Sequence, residues 1–208
     1  MRQSLRGVMG VVGMLVLVWL VSAAPASATR YTAEKAPVQL TATQEGNHVL
    51  DAAGNTITCK KASFSGTMSS TSQNTINLGG SYSECSFFGV AVAVSMNGCK
   101  YQLFASFLDI VCEGEGTAIT FKATVLGASC EVRIGEQLGV GIVSLFNLGS
   151  GTTREITLNF LAGGIKYNST GSLCGKTGSQ SDGSYTTGPT IIRGESDPGL
   201  SDIGIFVS

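Results

Sequence analysis

The run Val90-Ala-Val-Ala-Val-Ser-Met96 carries an apolar side chain at every second position and then meets Asn97-Gly98. Alternation with a period of two is the geometry of a strand that turns one face to a core. Asn-Gly readily supplies the positive φ that both central positions of a two-residue hairpin turn require. Counting from that turn sets Met96 opposite Cys99, Val94 opposite Tyr101 and Val92 opposite Leu103. A second tight turn at Ala105-Ser106 sets Leu103 opposite Leu108, Tyr101 opposite Ile110 and Cys99 opposite Cys112. The apolar phase survives both turns, as a fixed register demands. This stretch therefore reads as three antiparallel strands with Cys99 facing Cys112. The preceding Phe87-Phe88-Gly89-Val90 reads as core strand, with an exposed binding patch as the alternative.

The same grammar continues along the chain. Ile119, Phe121, Ala123 and Val125 alternate, a four-residue loop at 126–129 turns the chain, and Cys130, Val132 and Ile134 alternate again. Residues 140–146, 155–161 and 165–167 are further β-rich runs between glycine-rich turns. Residues 56–67 are expected to pair with His48-Val-Leu50 through Ala52-Ala-Gly-Asn55. Residues 29–45 read as a flexible lead-in, 178–184 as a polar loop, 195–201 as coil, and 202–207 as a last short strand. No helix is expected beyond the N-terminal leader. The fold class that follows is all-β: a single antiparallel β-sandwich or β-barrel-like domain of about ten to twelve strands.

The leader is compositional. Arg2 and Arg6 open it without an acid, residues 8–24 are apolar apart from glycines and Ser22, and Ala26-Ser27-Ala28 closes it. This is the pattern of a secretory signal peptide cleaved after Ala28; an uncleaved anchor is the alternative, since the apolar run sits at the lower edge of spanning length. The expected organisation is a signal peptide over 1–28, the lead-in over 29–45 and one β domain over 46–208, released outside the cytoplasmic membrane with no membrane span left in the mature chain.

All six cysteines follow the leader: Cys59, Cys85, Cys99, Cys112, Cys130 and Cys174. An even number in an exported chain reads as disulfides. No Cys-x-x-Cys occurs and the chain has a single histidine, so a structural metal site is disfavoured. The strand count supplies Cys99–Cys112, and pairing neighbours gives Cys59–Cys85 and Cys130–Cys174.

Thr58-Cys59 leading into Phe64-Ser-Gly-Thr67, then Asn97-Gly98-Cys99, Ile110-Val-Cys112, and Gly164-Ile-Lys-Tyr167 ahead of Cys174 carry a likeness over most of the mature chain. The arrangement resembles a group of exported, six-cysteine, β-rich proteins of high-GC Gram-positive bacteria to which no activity is assigned. The resemblance implies fold and location; its motifs are structural and imply no mechanism.

Composition removes several chemistries. With 13 Lys and Arg against 14 Asp and Glu and no basic block, nucleic acid and an anionic membrane are poor partners. A Ser-His-Asp triad would have to use His48, and no Gly-x-Ser-x-Gly elbow is present; His48 reads as an exposed strand-end residue. The nearest approach to an active site is acidic: Asp109, Glu113 and Glu115 fall close together, and Cys112-Glu-Gly-Glu-Gly116 forms a turn. Two carboxylates flanking a cleft would serve a glycosidase, and the same oxygens, or those of Ser181-Asp182-Gly183, suit calcium. A solvated acidic turn is the simpler reading, the one tryptophan (Trp19) lies in the leader, and no cofactor or metal is expected. The function expected is an exported, non-catalytic β domain with a structural or binding role at the cell envelope or outside the cell, toward envelope glycan or another extracellular protein. A secreted glycan hydrolase using a carboxylate pair is the alternative. An enzyme predicts a pocket with convergent carboxylates, whereas a binder predicts a flat apolar or aromatic patch.

Overall fold

A computed structural model describes residues 30–196 and 202–208, so the leader lies outside the described residues, as do 197–201. The described chain forms sixteen strands: β1 (Tyr31–Ala33), β2 (Val38–Gln44), β3 (His48–Ala52), β4 (Asn55–Met68), β5 (Ser72–Gln73), β6 (Ile76–Phe87), β7 (Val90–Ser95), β8 (Cys99–Leu103), β9 (Phe107–Cys112), β10 (Ile119–Val125), β11 (Ala128–Ile134), β12 (Gln137–Leu148), β13 (Glu155–Thr170), β14 (Gly178–Thr187), β15 (Thr190–Glu195) and β16 (Ile205–Val207). The one helical piece among the described residues is a 3-10 turn at Gly151–Thr153.

Three of the four longest strands, β4, β6 and β13, hold 14, 12 and 16 residues. Each is long enough to pair with different neighbours at its two ends. One half of the sheet runs β6–β8–β9–β12–β13–β15–β2–β4 and returns to β6; the other runs β6–β7–β10–β11–β13–β14–β3–β4 and also returns. Every pairing is antiparallel. The result is two closed rings stacked end to end on shared long strands, which leaves no long free sheet edge. Inward residues fill the rings: Leu40, Leu78, Leu103 and Ile156 in the first, Ile57, Ile119, Phe121 and Val132 in the second, all buried. The small sheet β16–β1–β5 sits where the first ring ends, and the Tyr31 hydroxyl donates to the Phe104 carbonyl there (3.0 Å).

Residues 30–45 are therefore not a flexible lead-in, Thr29 lying outside the described residues. Tyr31 is fully buried, Val38, Leu40 and Ala42 point into the core, and β2 pairs with both β4 and β15. The alternation Val38-Gln-Leu-Thr-Ala carries this in the sequence. Residues 178–184 likewise belong to β14, which pairs with β13 and β3, because serine, glycine and glutamine suit a strand whose outer face is wet. The runs 155–161 and 165–167 are one strand: Gly163-Gly164, with Gly164 at φ +73°, shifts the inward phase from Ala162 to Ile165 without breaking β13. Val125 faces Ala128, so the 126–129 turn has two residues rather than four.

The turn at Asn97-Gly98 forms with φ +47° and +81°, and the Cys99 amide donates to the Met96 carbonyl (2.8 Å). Beyond it the strands part. β7 pairs with β6 and β10, whereas β8 pairs with β6 and β9, so Val94 does not face Tyr101, nor Val92 Leu103. The divergence is the junction between the rings, with β7 entering the second and β8 the first. The β8–β9 register is the counted one, with Cys99 facing Cys112, Tyr101 facing Ile110 and Leu103 facing Leu108.

Cys59–Cys85, Cys99–Cys112 and Cys130–Cys174 are bonded, and no described cysteine is free. The first two join adjacent strands, and the third ties β11 to the loop after β13. Three disulfides fit an oxidising, extracytoplasmic environment. No helix among the described residues is long and apolar enough to cross a membrane.

Candidate functional site

The three candidate acids have separate fates. Asp109 points outward from β9 but is buried, because β12 bulges over it between Gln137 and Gly141 and the Gly139 amide donates to its Oδ1 (2.6 Å). Glu113 is exposed and pairs with Lys100 (2.5 Å), which holds its carboxyl below the usual range. Glu115 is exposed in the turn that follows. The hydrogen bond and charge of Lys176 hold Asp182 below its usual range, and the Tyr167 hydroxyl donates to its Oδ1 (2.7 Å). Among the described residues no three His, Cys, Asp or Glu side chains are grouped as a metal would need.

His48 is buried rather than exposed at a strand end (2% accessible). At the first position of β3 it faces Cys59 and points into the barrel, among Phe64, Tyr82 and Tyr185. Its Nδ1 lies 2.5 Å from the Tyr185 hydroxyl, which is 3.0 Å from the Tyr82 hydroxyl, itself 2.7 Å from that of Tyr101. Burial lowers the His48 pKa to about 4 and pushes the three phenols well above their usual value. The imidazole is met by the Tyr185 phenol, and among the described residues no serine hydroxyl or carboxylate bonds to it, so a Ser-His-Asp triad does not assemble there. The cavity beside it measures about 30 Å³, room for water but not for an organic ligand of ordinary size. The barrel interior is a core, not a ligand pocket.

A larger concavity among the described residues is an open groove of about 720 Å³ where the rings meet, bordered by Gly116, Arg133, Glu136, Gln137, Lys166 and Gln180. Its polar groups are mostly engaged by the protein. Arg133 donates to the Gly116 carbonyl (2.9 Å), and the Gln137 side chain bridges both backbone groups of Lys166 at 2.8 Å, replacing ladder bonds where β13 passes from β12 to β11. Glu136 is the one acid among the described residues lining the groove, so a carboxylate pair is not present there.

The outer wall supplies a different surface. Along β4 the outward residues are Thr56, Thr58, Lys60, Lys61, Ser63, Ser65 and Thr67, the solvated face that alternation predicts. Along β12 they are Leu138, Ile142, Ser144, Phe146 and Leu148. Ile142 pairs with Phe107 of β9 on one side and Leu161 of β13 on the other, so three apolar side chains stand in one row across three strands. Ile142, Leu161 and Phe146 are 68%, 59% and 56% accessible. Phe104 stacks on Phe107 with ring centroids 4.2 Å apart and extends the row. The polar residues between, Ser144, Asn159 and Thr157, carry no charge, and the nearest ion pair, Glu155 with Arg193 (2.7 Å), closes on itself at the rim. The sequence flagged acids and missed this face; the outward phase of β12, Leu-x-x-x-Ile-x-x-x-Phe-x-Leu, was its only trace.

No protein family, curated protein or solved structure matches this chain.

Proposed function

We propose that this protein is an exported, non-catalytic structural domain that works by contact, and that the outer face of β9, β12 and β13 is the contact surface. The observation that carries the reading is the row Phe107–Ile142–Leu161, with Phe146 beside it, exposed on an otherwise Ser- and Thr-rich barrel. Contiguous exposed apolar area of this kind marks association surfaces. The separation of Asp109, Glu113 and Glu115 into three unrelated environments gives the glycan-hydrolase alternative no support. Aromatic side chains alone would suit a glycan, but a row led by Ile, Leu and Phe with only Ser144, Asn159 and Thr157 between suits an apolar protein surface better.

The occupant is a second copy of the chain. Two identical molecules bring identical charges together unless the contact is charge-free, and here the one outward acid of β9, Asp109, is buried under the β12 bulge and the rim pair is already closed. A two-fold contact centred on the row puts Ile142 next to its own counterpart. The test is Ile142→Cys in the oxidised protein, with outward-facing Ser65→Cys as control. Rapid formation of a covalent dimer at position 142 alone supports the reading, and equal, slow cross-linking at both positions counts against it.

A further inference from the structure

At the end of the second ring away from the small sheet, two hairpins stand side by side. β6 and β7 are joined by Phe88-Gly89, and β10 and β11 by Leu126-Gly127. β7 pairs with β10, Ala123 facing Val92, so the same register carried to the tips brings Leu126 beside Gly89 and Phe88 beside Gly127. Both turns have positive φ at both central residues: +47° and +78° in the first, +47° and +82° in the second. The first of these positions favours Asn, Asp or Gly, as Asn97 illustrates in the same chain, and a bulky side chain there is strained. Here it holds Phe and Leu.

Neither side chain is buried in the fold, although the Phe88 ring touches that of Phe87 (centroids 5.1 Å). Phe88 is 88% accessible and Leu126 fully so, and a Cβ at Gly89 or Gly127 would meet nothing within 4 Å, so the turns project clear of the molecule. The contrast is another two-residue turn of this kind, Ala53-Gly54, whose alanine is fully buried and whose amide donates to the Tyr167 hydroxyl (2.8 Å). The surroundings of the two tips are also uncharged: residues 85–99 and 123–130 contain no Asp, Glu, Lys or Arg. The nearest charges on the same strands are Glu84, paired with Lys61, and Lys122 with Glu131.

We propose that Phe88 and Leu126 form a two-pronged apolar tip that enters the interfacial region of an uncharged lipid surface. A convex tip needs a partner that opens around it. Acyl chains do so, whereas a protein would need two matching pockets at a fixed spacing. The absence of basic residues around the tips fits zwitterionic headgroups rather than an anionic layer, where amphipathic binders carry Lys and Arg. The disulfide-linked barrel behind them keeps both prongs aligned, so the second enters at little further cost in ordering.

All strands lie within residues 31–207, a stretch with no tryptophan, so in the chain without its leader and Trp19, Phe88→Trp and Leu126→Trp are each single reporters. The probe is vesicles of phosphatidylcholine, with and without brominated acyl chains, mixed with oxidised protein that also carries Ile142→Glu, which keeps the outer wall out of the measurement. The expected result is a blue shift of both reporters, quenching by the brominated lipid, and about tenfold weaker flotation with vesicles for each of Phe88→Ser and Leu126→Ser. Emission unchanged at saturating lipid for both reporters would overturn the proposal. So would binding that survives the double serine variant, or binding seen only with anionic vesicles.

Discussion

The Asp109 carboxylate accepts a hydrogen bond from the Gly139 amide at 2.6 Å, beneath a bulge that lifts Leu138 into solvent and restores the phase of β12 at Ile142. A residue that looks catalytic in the sequence is thus the support of the apolar face. Asp109→Ala removes a buried side chain and the acceptor of this part-buried bond, and is expected to destabilise the fold by about 1–2 kcal/mol. Glu113→Gln and Glu115→Gln, both at exposed carboxylates, are expected to leave the melting temperature unchanged. Thermal unfolding of the three variants side by side checks this; equal effects at all three would show that the acids act together.

Gly141 sits one residue before the row. A Cβ there would stand 2.4 Å from the Leu161 carbonyl oxygen and 2.7 Å from the Ala162 Cα, both backbone atoms of β13. Gly141→Ala must push β12 away from β13 and is expected to cost about 2–3 kcal/mol. Denaturant unfolding measures it, and a neutral substitution would mean that the two strands do not approach so closely.

His48 makes stability depend on pH. Its folded pKa, about 4, lies below the unfolded value near 6.5, so the unfolded chain binds the proton more readily between them. Stability from this group is complete above pH 6.5 and falls as the pH drops toward 4, by about 3 kcal/mol in all. The difference in unfolding free energy between wild type and His48→Gln, followed from pH 7 to pH 4, should shrink by that amount. A difference independent of pH would contradict the burial of the imidazole.

The disulfides differ in the loops they close: 44 residues for Cys130–Cys174, 26 for Cys59–Cys85 and 13 for Cys99–Cys112. On the chain-entropy account their removal costs about 4 kcal/mol for the longest and about 3 kcal/mol for the shortest. Paired Cys→Ser variants are expected to melt in that order, with loss of Cys130–Cys174 the most damaging; the reverse order would point to strain relieved rather than entropy lost.

The sequence disclosed whatever is local. The β8–β9 register, and with it Cys99 facing Cys112, could be counted because Ala105-Ser106 is short and the apolar phase crosses it intact. The β3–β4 hairpin was legible for the same reason. What could not be counted is the choice of neighbour. A strand has two edges, and nothing in residues 90–96 says that β7 leaves β8 to pair with β10. The closure of both rings on β13, and the contact of His48 with Tyr185 across 137 positions, are likewise decided by packing at long range. Phe88 and Phe87 look alike in the sequence, yet one is exposed and the other buried, because the turn falls between Phe87 and Val90. The alternation of Val38, Leu40 and Ala42 was present and was outweighed by the polar residues around it.

The claim that this domain works through its outer apolar face is tested most directly by sedimentation equilibrium of the oxidised protein from micromolar to millimolar concentration, beside the Ile142→Glu/Leu161→Glu variant. The account predicts a reversible dimer for the wild type and a folded monomer for the variant throughout. A wild type that remains monomeric over the whole range, or a variant that dimerises equally well, would contradict it.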